Sequence, residues 1–229
     1  MRVEVLPDPE ALARRAARVI AAEARAAVAA RGRFLLAASG GRTPSRMLEL
    51  LAGEDLPWAA VHLFQVDERV APSGHPERNL TGLAASLLSR APLPAAGVHA
   101  MPVEEGDLEA AAARYAAELE ALGGTPAVLD LVQLGLGADG HTASLVPGDP
   151  VLDVAGTDVA ATGRYQGRRR MTLTYPALDR ARLVLWVVAG ADKAEAVARL
   201  REGDRDIPAG RVRSDRALLL ADAAAAARS

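Results

Sequence analysis

Cysteine is absent from all 229 residues, which removes disulfides, thiolate nucleophiles, zinc ribbons and iron–sulfur clusters in one step. Aromatic residues make up only 3% of the chain, too few for the stacking platforms that hold single-stranded nucleic acid. Lysine is nearly missing: of 27 basic residues, all but Lys193 are arginine. Neither sign of charge dominates, because 29 acidic residues leave a formal net charge of -2. Without a global positive field, neither nucleic acid nor an acidic membrane surface is expected as a partner. No run is apolar enough to span a bilayer, since Arg and Glu interrupt the Ala-rich stretches. The first ten residues lack a basic segment followed by an apolar one, so no signal peptide is expected and a reduced, cytoplasmic setting is.

What is present is a globular composition, 50% hydrophobic and 24% charged. The length suits one α/β domain over residues 1–229. Residues 9–31 place Leu12, Ala16, Val19, Ile20 and Val28 on one face and Arg14, Arg15, Arg18 and Arg25 largely away from it. That spacing predicts an amphipathic helix closed by Gly32. Apolar runs at 34–38, 61–66, 98–101, 128–134, 171–174 and 183–188 predict strands. Helices are expected at 44–51 behind Pro44, and at 79–89, 107–122 and 192–201. Strands alternating with helices imply an α/β fold: a mostly parallel, Rossmann-like sheet flanked by helices on both faces. Residues 147–170, rich in Gly, Pro and Asp, read as a long surface loop or lid.

In such a sheet, ligands bind beyond the carboxyl ends of the strands. Four segments stand there. Ser39-Gly40-Gly41-Arg42-Thr43-Pro44 follows the first strand. Its glycines admit a close approach, and the amides of the next helix point at the turn, which suits a phosphate or carboxylate. An ordinary strand-to-helix turn capped by Ser39 or Thr43 would look the same. Asp67-Glu68-Arg69 follows the second strand: a carboxylate there can orient an imidazole or act as a base, and Arg69 can bind an oxyanion. A solvated charged turn is the plainer reading.

Gly135, Gly137 and Gly140 formally satisfy G-x-G-x-x-G after a strand. The dinucleotide reading fails, because Pro147 and Gly148 stop any long helix behind it. The glycines instead let a tight turn present Asp139 and His141, and a histidine so placed can serve as a general base. The fourth segment, Gly190 to Lys193, carries the solitary Lys, a compact point charge suited to a single phosphate oxygen. A metal site is not expected: His62, His75, His99 and His141 are scattered, without a helical pair. The run Arg168-Arg169-Arg170 can contact phosphate, or form a solvated edge.

Taken together, these blocks resemble the 6-phosphogluconolactonases, relatives of the glucosamine-6-phosphate deaminases. Ser39 to Pro44 resembles their phosphate loop, and Val66 to Arg69 with Asn79 their acidic strand-end motif. Gly135 to Leu145 is similar to their most specific signature, and Arg170 to Pro176, Gly190 to Lys193 and Ile207 to Ala209 match later blocks. The blocks run in order from about Phe34 to Val212. The deaminases carry an acidic residue shortly after the histidine, whereas Thr142 to Gly148 has none. Leu80 departs from the family by following Asn79 where an aromatic is usual, and the block after Val212 matches poorly.

The resemblance implies the fold shared by sugar-phosphate isomerases, deaminases and CoA transferases. It also implies hydrolysis of 6-phospho-D-glucono-1,5-lactone in the oxidative pentose phosphate pathway, with no metal or organic cofactor. The substrate phosphate would be held by the amides around Gly40 and Gly41, by Ser39 and Thr43, and by Arg42, Arg170 and Lys193, with Asn79, Gly137 and Asp139 also at the substrate. His141 would take a proton from the attacking water. Asp67 or Asp139 would orient the imidazole, and Arg69 or amides near Gly137 would stabilise the oxyanion. A deaminase or isomerase of a sugar phosphate, and a non-catalytic sugar-phosphate sensor, are the alternatives. A monomer or weak homo-oligomer is expected.

Overall fold

The computed structural model describes residues 1–227, the side chain of Arg42 excepted. Ahead of the first helix runs Arg2–Leu6 (β1), a strand the hydropathy pattern does not mark because its valines alternate with Arg and Glu at a sheet edge. The helix Pro9–Arg31 (α1) is as the sequence predicts. Asp8 accepts the Ala11 N–H at 2.8 Å, and Gly32 closes the helix at φ 73°. Such an N-cap stabilises a helix by about 1 kcal/mol. Leu12, Ala16 and Ile20 are fully buried, whereas Arg14, Arg18 and Arg25 are exposed.

The other elements are β2 (Phe34–Ala38), α2 (Arg42–Ala52), β3 (Val61–Gln65), β4 (Asp67–Arg69), α3 (Asn79–Leu83), β5 (Val98–His99) and α4 (Leu108–Gly123). They continue with β6 (Leu131–Leu134), β7 (Val159–Ala161), β8 (Arg170–Leu173), α5 (Tyr175–Arg180), β9 (Leu183–Val188), α6 (Ala194–Glu202), α7 (Pro208–Arg211) and β10 (Ala217–Asp222). Seven strands form one parallel sheet in the order β1-β10-β9-β6-β2-β3-β5.

Both faces of this sheet are covered. Phe34, Leu36 and Ala38 face a core shared with α1 and α2, while Leu35 and Ala37 face the opposite core, with α4, α5 and α6. β9 divides in the same way, Leu183, Leu185 and Val187 against Val184, Trp186 and Val188. Strands buried on two sides read as unbroken apolar runs, which is why the sequence locates them. Each fully buried Leu, Val or Phe contributes roughly 1.5–3 kcal/mol of transfer free energy.

The structure departs from expectation in several places. The charged triplet after β3 is not a turn but a strand, β4, in a second, antiparallel sheet β4-β8-β7. Val66 passes the chain between sheets: its N–H donates to Ala38 O, and its carbonyl accepts from Leu173. Residues 147–170 are not one long loop, since they hold a 3₁₀ turn at Pro150–Asp153, strand β7 and a hairpin closed between Tyr165 and Arg168. Their Gly and Pro content serves tight turns. α2 begins at Arg42, ahead of Pro44, behind a Gly41 N-cap at φ 112° with no side-chain cap. The helix at Asn79 becomes a π turn over Ala84–Leu88, and β10, α5 and α7 are elements the sequence reading does not mark.

Candidate active site

Strands β9, β6, β2 and β3 are neighbours at the centre of the sheet, and their carboxyl ends surround one cleft of about 300 Å³. That lies at the small end of small-molecule sites, which span roughly 300–1,000 Å³. All four segments singled out in the sequence reach it, bringing Gly40, Asp67, Arg69, Gly137, His141 and Lys193 to one wall or another. The chain leaves β2 for β3 on one side and β6 for β9 on the other, so the cleft opens where the strand order reverses.

The turn after β6 is held from within. Gly137 donates its N–H to His141 O at 2.8 Å, Gly140 donates to Gly137 O at 3.0 Å, and the Thr142 hydroxyl donates to Gly135 O at 2.9 Å. Gly140, at φ 80°, packs so tightly that a Cβ would lie 2.5 Å from Ile207. At the apex, Asp139 Oδ1 stands 2.5 Å from His141 Nδ1 and 3.2 Å from the His141 backbone N. Between the two acids left open by the sequence, the imidazole therefore sits with Asp139. With its Nδ1–H donated there, the other ring nitrogen is the acceptor. A Cβ on Gly137 would come within 2.1 Å of His141 Nδ1, so that glycine is the floor on which the imidazole rests. Because its N–H is engaged by His141 O, it is not an oxyanion donor.

Asp67 is buried and belongs to another group. Ser144 Oγ donates to Asp67 Oδ2 at 2.6 Å, and Asn79 Nδ2 donates to Oδ1 at 3.0 Å. Burial pushes the Asp67 carboxyl above its ordinary pKa, with Ser144, Arg170 and Arg69 opposing the rise. Its neighbour Glu68 turns into the protein, fully buried, and accepts the N–H groups of Asn79 and Leu80 at 2.7 and 2.9 Å. Glu68 also pairs with Arg78 Nε at 3.0 Å, so it sets the position of Asn79 without reaching the cleft.

The anion loop is partly as expected. Gly40, Gly41 and Thr43 line the cleft, and a Cβ on Gly40 would lie 2.2 Å from Asn79 Oδ1. Ser39 lines it too, but its hydroxyl donates to Gln133 O at 2.9 Å and its N–H to Gln133 Oε1 at 3.1 Å. It ties β2 to β6 rather than capping α2. The Arg42 side chain lies outside the described part of the structure. Lys193 reaches the cleft beside Asp192, with Nζ and Oδ2 3.1 Å apart. Its turn is pinned by Asp222, whose two carboxylate oxygens lie 3.1 and 3.2 Å from the Gly190 nitrogen.

The arginine run splits. Arg170 is buried and lines the cleft, Arg168 pairs with Glu77, and Arg169 pairs with Glu109 at 2.5 Å. Arg69 lines the cleft with one Nη held by Glu77 O at 2.7 Å. The sequence reading misses Tyr165, Asp222 and the role of Glu68. No spacing signal marks them, because each acts on a residue brought close only by the fold. Among the described residues no group of three or more His, Asp or Glu is arranged to hold a metal ion, and no helix is long and apolar enough to cross a membrane.

The sequence pattern of the family described as glucosamine-6-phosphate isomerases/6-phosphogluconolactonase matches residues 7–220. The chain belongs to this family. It is 39% identical over 203 residues to the 6-phosphogluconolactonase of Nostoc sp., covering 86% of this chain and 84% of that one. The crystal structure of 6-phosphogluconolactonase from Thermotoga maritima superposes with a TM-score of 0.85 at 26% identity, covering 96% of this chain and 98% of that one. A monomeric glucosamine-6-phosphate deaminase has a TM-score of 0.85 at 23% identity, covering 100% of both chains. The deaminase likeness shows a common fold, so the choice between activities falls to the residues of the cleft.

Proposed function

We propose that this chain is a 6-phosphogluconolactonase, hydrolysing 6-phospho-D-glucono-1,5-lactone to 6-phosphogluconate in the oxidative pentose phosphate pathway. It would act as one cytoplasmic domain, monomeric or weakly associated, without a cofactor. The observation that carries the reading is the His141–Asp139 pair, 2.5 Å apart, on the rim of a cleft that also holds Lys193, Arg69, Arg170 and the Gly40–Gly41 turn.

The substrate joins a dianionic phosphate to an electrophilic ester. Lys193, Thr43, Arg170 and the amides of the Gly40–Gly41 turn hold the phosphate, and that remote binding orients C1 of the lactone. His141, through its Nε2, removes a proton from water as the water oxygen bonds to C1, a role worth roughly 10²–10⁴-fold. Asp139 fixes the ring and stabilises the imidazolium. Arg69 faces the developing oxyanion, a contribution of roughly 3 kcal/mol for a well-placed donor. Collapse breaks the bond from C1 to the ring oxygen, and the imidazolium returns its proton to that departing oxygen. Water is consumed and nothing else is required.

The absence of an acidic residue between Thr142 and Gly148 supports the lactonase over the deaminase. Incubating the purified protein with the lactone and, separately, with glucosamine 6-phosphate distinguishes them. Accelerated ester hydrolysis without ammonia release is expected. Ammonia release without hydrolysis would overturn the reading.

A further inference from the structure

The Tyr165 side chain lies in none of the sequence motifs, yet it touches the His141–Asp139 pair. Its hydroxyl donates to Asp139 Oδ2 at 3.1 Å, the oxygen that the imidazole does not use. Its ring meets the imidazole edge-on, centroids 5.5 Å apart at 62°. The guanidinium carbon of buried Arg170 stands 5.0 Å over the same ring.

The segment bearing Tyr165 is built to hold a position. Tyr165 N–H donates to Arg168 O at 3.0 Å and Arg168 N–H returns a bond of 3.3 Å. Between them Gln166 and Gly167 both take positive φ, 53° and 81°, the pattern of the type I′ turn that matches strand twist. At its far end Thr162 N–H donates to Arg170 O at 2.9 Å.

Asp139 needs such support, because its side chain is 40% exposed. Water competes for its oxygens, and the two contacts from His141, from the ring and from the backbone N–H, both fall on Oδ1 and leave Oδ2 to be held from elsewhere. We propose that Tyr165 is a positioning residue for the reaction: by holding Asp139 Oδ2 it keeps Oδ1 on His141 Nδ1, and so keeps Nε2 as the acceptor facing the cleft. Burial raises the Tyr165 pKa, as does the adjacent Asp139 charge, so the phenol remains a donor through neutral pH. Tyr165 acts through Asp139, and in kinetic terms this inference rests on the lactonase reading.

The test has two arms on Y165F, with folding checked by thermal melting. In the first, ¹⁵N spectra of the imidazoles are recorded on the ligand-free protein, assigned to His141 with H141A. Wild type should show one tautomer, protonated at Nδ1; Y165F should show a mixture of both. The second arm measures lactone turnover. Y165F should lower kcat about tenfold, the loss of one bond to a charged group, with KM changed less than twofold. In a D139N background the same substitution should have no further effect.

An unchanged spectrum in Y165F would overturn the inference. So would a raised KM with unchanged kcat, or the full kcat loss persisting in D139N. A tautomer change in Y165F, found alongside a wild-type protein that hydrolyses no lactone, would support the positioning role and overturn the lactonase reading, so the two fail separately.

Discussion

The carboxylate of Glu68 accepts the Asn79 backbone N–H at 2.7 Å, and the Asn79 side chain reaches back to Asp67 at 3.0 Å. Neighbouring residues of β4 thus point to opposite sides and are rejoined through a third residue. Glu68 and Arg78 are both buried, 3.0 Å apart. Removing one partner of a buried pair leaves an uncompensated charge and costs about 3–5 kcal/mol. Glu68→Ala should lose that much stability in urea unfolding, and a loss under about 1 kcal/mol would contradict the buried-pair assignment.

Asp67 makes a prediction about pH. Its carboxyl is held above the ordinary 3.8 by burial. The folded state therefore keeps a proton that the unfolded chain has released, and between those two values stability falls as pH rises. Asn does not titrate. The stability of D67N relative to wild type should increase with pH through that window, by at most about 1.4 kcal/mol per pH unit. Denaturation midpoints measured across the window test this, and a difference that stays flat would contradict it.

Gly137 makes a prediction about rate. An alanine Cβ there would stand 2.1 Å from His141 Nδ1 and 2.5 Å from Asp139 Oδ1, so the imidazole must move. A displacement near 1 Å can cost about 10²-fold, and Gly137→Ala should lose at least that in kcat. Because the displaced groups border an open cleft, the thermal midpoint should hardly change. An active Gly137→Ala would contradict the close packing of the turn.

The centre of the fold is legible in the sequence because strands buried on both faces are continuous apolar runs, ended by glycine-rich turns. β1 and β10 are not legible. The first is a mixed edge strand, and the second is a five-residue apolar run, Ala217 to Ala221, that passes after Asp222 into an Ala-rich stretch reading equally well as helix. β4 reads as a charged turn because its partner, β8, is far along the chain. His141 is legible from its turn, but spacing could not choose its acid: Asp139 is two residues away, while Asp67 proves to be bonded by Ser144. Ser39 looks like a free hydroxyl until Gln133 is brought beside it. Asp222 follows the same rule, since only the pairing of β10 with β9 carries it to the Gly190 turn.

In the proposed reaction His141 activates water for attack on a phosphorylated sugar lactone. The most direct measurement is the decay of freshly generated 6-phosphogluconolactone, followed by NMR with wild type, His141→Ala and buffer alone, since this lactone also opens unaided. Rapid decay with wild type is expected, with the variant slower by about 10²–10⁴-fold. Equal rates for wild type and variant would move the base away from His141, and decay at the buffer rate with folded wild type would contradict the lactonase assignment itself.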